Sequence, residues 1–135
     1  MSIMSTHTAI RVQPRRTGGR FAYASFAALA LAAVCLEISS HSTGLWQALV
    51  LGLGPDIALF YGASARLEKG QLHPRAVGLY NLLHRFWLPT GLMVLASVDV
   101  IPLGFFIGGL AWCFHIALDR ALGYGLRTRD GFQRS

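Results

Sequence analysis

Residues 111–125 read AWCFHIALDRALGYG. His115 and Asp119 stand four apart inside this apolar run, and on a helix that spacing stacks the two side chains one turn apart on one face. An imidazole above a carboxylate on an oily helix is costly unless an ion, a proton or a buried hydrogen-bond network compensates it. Gly123 is a natural stop for the helix. Upstream, Gly104 and Gly108 form a G-x-x-x-G stripe, the pattern that lets two helix backbones approach closely. Gly108 lies seven residues before His115 and shares its face, so the packing that uses the glycines also turns His115 inward.

Composition says what surrounds this helix. Of 135 residues, 53% are hydrophobic and only 13% are charged, about half the charged share usual in a soluble domain. The mean hydropathy is +0.47. These values describe an integral membrane protein. The net charge of +6 sits in three clusters between oily runs, a topology signature. No basic helix interleaved with aromatics is present to engage nucleic acid. Cys35 and Cys113 fall in different runs at opposite depths, too far apart for a disulfide, and no zinc-type cysteine spacing occurs.

Four spans follow, over about residues 21–38, 44–62, 76–98 and 100–122, each close to the ~20 residues that a hydrocarbon core requires. Residues 1–20 read as a disordered basic tail with Arg11, Arg15, Arg16 and Arg20. The first run ends in Cys35-Leu-Glu-Ile-Ser-Ser40 with no small-x-small cleavage site, so it reads as a retained anchor. Glu37 lies at its outer end, and Trp46 opens the second span as an interfacial anchor. Pro55 and Pro89 are expected to kink the second and third spans, and Asp99 marks a very short connection. Arg66, Lys69 and Arg75 crowd the middle loop, and Arg127, Arg129 and Arg134 the basic tail 127–135; the first and third connections carry no Lys or Arg. The positive-inside rule then puts both termini in the cytoplasm. Tyr23, Tyr61, Tyr80 and Tyr124 all fall near inner ends of spans, where an aromatic belt belongs. The architecture is an all-α, four-helix membrane bundle with short loops, small enough that a homodimer is a natural assembly.

Counting depth at 1.5 Å per residue puts Asp56, His84, His115 and Asp119 about 9, 12, 10 and 5 Å below the inner boundary. Tyr80, Asn81, Arg85 and Arg120 share that layer, and Asn81 and His84, three apart, share a helix face. Two imidazoles and two carboxylates from facing helices suit Zn²⁺, Mn²⁺ or Fe²⁺. Such a centre generates a hydroxide and polarises a phosphoryl or acyl group. One carboxylate would serve as general base, and Arg85 or Arg120 would hold an anionic group. The layer faces the inner leaflet, so the substrates within reach are lipid-linked or phosphate-bearing. Two rival readings stay open at this point. The polar side chains could pair across helices, Asp56 with Arg85 or Asp119 with Arg120 of a neighbouring molecule, and only fix packing; or they could conduct protons or ions. His7, His41 and His73 read as tail or loop residues, and Trp87 and Trp112 as packing.

A set of motifs carries a family resemblance: Gly54-Pro55-Asp56, Gly62, Tyr80-Asn81-x-x-His84 with Leu88-Pro89, and His115-Ile116-x-Leu118-Asp119-Arg120-x-Leu122-Gly123-Tyr124-Gly125-Leu126. Over about residues 21–132 the chain resembles the small bacterial membrane family catalogued as domain of unknown function 4260. The resemblance implies a four-span protein of the bacterial inner membrane and no particular reaction. The chain departs from that pattern in having no acid in Phe21–Phe26 and in stopping shortly after Gly131-Phe132.

Overall fold

The computed structural model describes residues 17–62 and 66–134. Most of the expected N-terminal tail, residues 1–16, lies outside the described residues, as does part of the middle loop. From Thr17 the chain is already helical, four residues before the expected start of the first span. The elements are α1 (Thr17–His41), α2 (Leu45–Leu53) continuing as a 3-10 helix (Gly54–Phe60), a short 3-10 turn (Pro74–Ala76), α3 (Val77–Leu83), α4 (Trp87–Ser97) and α5 (Leu103–Leu122). Among the described residues the only β pairing is an isolated antiparallel bridge, Arg127 with Gln133. The chain is all-α, as its sequence indicates.

α5 is the axis, and the main helix pairings are those of α1, α2 and α4 with it. Arg20 at the start of α1 donates its Nε–H to the carbonyl of Ala121 at the end of α5, 2.7 Å away, so those two helices run antiparallel. Val34 of α1 packs with Ile107 and Ala111. The glycine stripe does what its spacing suggests. A Cβ on Gly104 would collide with the Gln47 amide, and one on Gly108 with Leu51 and the Gln47 backbone, so α2 lies directly against α5. Gly109 makes the same allowance for Met93 and the Pro89 carbonyl of α4. Ile107, Ile116 and Ala117 are completely buried. Gly123 adopts φ 95°, the left-handed conformation that closes a helix. The Asp99 turn between α4 and α5 is as tight as expected.

Two of the four expected spans are not continuous α-helices, and proline explains both. Pro55 has no N–H to offer the Leu51 carbonyl, and its ring crowds that carbonyl. α2 stops at Leu53, and the chain continues as seven residues of 3-10 helix, long for that geometry. Pro89 was expected to kink the third span, and the span is broken at His84–Phe86, because the carbonyl deprived of a partner belongs to the residue four earlier, Arg85. Pro89 then sits in the first turn of α4, where a missing N–H is harmless.

α1 (Gly18–His41) and α5 are long and apolar enough to cross a membrane, and Leu45–Phe60 is a shorter apolar helix. Large apolar side chains stand on the outside, Phe21, Leu29, Leu36, Leu53 and Phe60 among them. Cys35 is exposed, Cys113 is buried, and both are free thiols.

Candidate metal centre

Both helix breaks lie at the cluster that depth counting anticipates. Asp56 comes from the 3-10 segment after Pro55, His84 caps the end of α3, and His115 and Asp119 share one face of α5. The Nε2 atoms of His84 and His115 are 3.4 Å apart. His84 Nε2 lies 3.2 Å from Asp119 Oδ2 and 3.6 Å from Asp56 Oδ1. His115 Nε2 lies 3.4 Å from Asp56 Oδ1 and 3.7 Å from Asp119 Oδ2. One atom from each residue thus falls within 4.8 Å of all the others.

The protonation of one ring follows from its partner. His84 Nδ1 is 2.8 Å from the Tyr80 carbonyl, and a carbonyl can only accept, so Nδ1 carries the proton and donates. In the neutral ring this leaves the Nε2 lone pair aimed at the other three residues, the usual arrangement of a ligating histidine. The ring is held further by Tyr80, whose phenol stacks on it at 3.9 Å between centroids. Arg120 Nη2 donates to the His84 carbonyl at 3.3 Å, and the Trp112 indole donates to the Leu83 carbonyl at 2.8 Å. The carbonyls released by the break between α3 and α4 are therefore used to tie it to α5. His84 is buried at 3% exposure; the side chains of His115, Asp119 and Asp56 are progressively more open at 12, 22 and 42%.

The supporting residues divide. Tyr80 and Arg120 brace His84 as described. Asn81 shares the layer but not the cluster: its amide donates to the Arg127 carbonyl at 2.9 Å and accepts the Arg127 N–H at 2.7 Å. Arg85 is exposed in the break. The pairing of Asp56 with Arg85 does not form; both carboxylates meet imidazoles instead. Glu37 pairs with His41 at 3.3 Å, at the far end of α1.

Sequence reasoning missed Arg127 and Trp112. Arg127 lies over the Tyr80 ring, 5.2 Å from its centroid, and donates to the Gly70 and Gly131 carbonyls at 2.8 and 3.2 Å. Leu72 N–H donates to the Gly131 carbonyl, and Gln71 to that of Asp130. The C-terminal segment is thus folded back across the site end of the bundle. Nothing local in a basic tail announces such long-range pairing; the one available signal was Asn81, a polar side chain on an oily helix with no role in the cluster.

Two imidazoles and two carboxylates at these separations form the donor set of a first-row divalent ion. A tetrahedral ion with bonds of about 2.0–2.1 Å separates its ligand atoms by roughly 3.3–3.4 Å; five of the six separations here run from 3.2 to 3.7 Å, and the sixth, between the two carboxylates, is within 4.8 Å. No curated protein and no solved structure matches the chain. The model of a family described as a domain of unknown function (DUF4260) matches residues 23–135, and the chain belongs to that family.

Proposed function

We propose that this chain is a four-span inner-membrane protein with both termini cytoplasmic, and that Asp56, His84, His115 and Asp119 hold a divalent metal ion in the cytoplasmic half of the bundle. The observation that carries the reading is the convergence of four donor atoms from three separate segments within 4.8 Å. Two neutral imidazoles and two carboxylates supply four lone pairs and two negative charges, which a divalent ion matches. Support for the membrane comes from the two long apolar helices and from the exposed apolar surface of α1. In a bilayer, broken helices are tolerated where they line a site, and both breaks here carry cluster residues.

The activity that fits such a centre is hydrolysis of a lipid-linked or phosphate-bearing substrate. A bound divalent ion lowers the pKa of its water and polarises a phosphoryl or acyl oxygen. The reaction consumes one water, divided between the two products, and needs no other co-reactant. Asp56, the most open of the four, would be the carboxylate placed to accept a proton from water at such a centre.

Elemental analysis of the detergent-purified protein tests the core of this reading. The expected result is about one Zn, Mn or Fe per chain, lost in His84→Ala and in His115→Ala. A metal-free wild-type protein that also fails to take up Zn²⁺ on dialysis overturns it, and pH-dependent flux in liposomes would then favour proton or ion conduction. If those variants lose stability without any metal having been present, the cluster only fixes helix packing.

A further inference from the structure

We infer, building on the metal reading above, that the centre takes a long-chain amphiphile with an anionic headgroup, and that this ligand reaches it sideways from the bilayer past Asp56. Three observations converge. First, among the described residues the cluster is most open at Asp56. His84 is 3% exposed and His115 12%, whereas the Asp56 side chain is 42% exposed. Second, the surface around that opening is apolar. Leu53, Ile57 and Phe60 are 70, 63 and 78% exposed, and they flank Asp56 on the same short stretch of α2 and 3-10 helix. A water-facing doorway would not be framed by three large, exposed apolar side chains.

Third, the water-facing end is closed. Tyr80 covers one face of the His84 ring, Arg127 covers Tyr80, and the C-terminal segment is fastened by the Asn81–Arg127 pair and by the Leu72–Gly131 hydrogen bond. Depth agrees with a headgroup: Asp119 lies three residues before the end of α5, a rise of about 5 Å. That is where the phosphoryl and ester groups of a lipid meet its acyl chains. The headgroup would meet the centre while its chain lies along Leu53, Ile57 and Phe60.

The test uses full-length protein in dodecyl maltoside micelles, loaded with Co²⁺ so that visible absorption reports on the coordination sphere. Decylphosphonate and methylphosphonate carry the same headgroup and differ in chain. Each added methylene is worth up to about fourfold when buried in an apolar environment. Decylphosphonate is therefore expected to change the spectrum at a concentration at least a hundredfold below that of methylphosphonate. The double variant Ile57→Ser, Phe60→Ser controls for partition into the micelle. Both positions are exposed, and retained Co²⁺ binding verifies the fold. It is expected to lose most of the decylphosphonate advantage and keep the methylphosphonate response. Equal responses to the two probes, or an advantage unchanged in the double variant, overturn the lateral route while leaving the metal centre standing. Failure of the wild-type protein to bind Co²⁺ overturns the metal reading itself.

Discussion

Asn81→Ala isolates the fastening of the C-terminal segment from everything else in the bundle. Asn81 makes two hydrogen bonds to the backbone of Arg127, at 2.7 and 2.9 Å, in a part-buried setting. Each is worth about 1 kcal/mol net. Their loss should shift the opening equilibrium of the segment by about 2 kcal/mol, roughly thirtyfold. The helices do not depend on this contact, so the change should be local. Amide hydrogen exchange read by mass spectrometry distinguishes the two. The Leu72 and Arg134 amides, which donate to the Gly131 and Leu126 carbonyls, are expected to exchange about thirtyfold faster, with α1 and α5 unchanged. A change under about threefold would mean that Arg127 Nη1 and Gln71 suffice to hold the segment. A uniform rise across all helices would mean that the segment is part of the bundle's cooperative unit. Either result refutes the account of Asn81 given above.

Gly108→Val adds a branched side chain where even a single Cβ meets Leu51 and the Gln47 backbone; it should lower stability by about 1–3 kcal/mol, read as a lower thermal midpoint in detergent, whereas Gly78→Ala, with open space around it, should not. Metal retention should weaken as pH falls. The binding forms are the neutral imidazole and the carboxylate, so uptake releases protons and acid opposes it; pH-jump release of Zn²⁺, followed with a chromogenic chelator, is expected to become faster and more complete on the acid side and to be flat if the four residues are not the ligands.

The identity of the cluster was legible because depth along a helix is simple arithmetic. Asp56, His84, His115 and Asp119 count to within about 5–12 Å of the inner boundary, close enough to meet despite the breaks, and the glycine stripe turns His115 inward. That Pro55 and Pro89 interrupt their spans was legible too; the extent of the second interruption was not, since the residue that disrupts a hydrogen bond is not the one whose carbonyl loses it. Pro89 acts at Arg85, and that displacement releases His84 from a regular helix and lets its ring meet α5. Asn81 and His84 stand three apart at the end of α3, where the His84 N–H still bonds to the Tyr80 carbonyl, but they take different partners, Arg127 and the α5 residues. The arrangement of the tail was out of reach, because Asn81 and Arg127 are 46 positions apart and neither marks the other in a local pattern.

α5 is the helix onto which α1, α2 and α4 all pack. Contacts such as Arg20 with Ala121 join residues 101 positions apart, so they close only when α5 is in place. Folding of this chain is therefore governed by distant pairings, and it should be slower than that of a bundle in which each helix packs chiefly on its sequence neighbour.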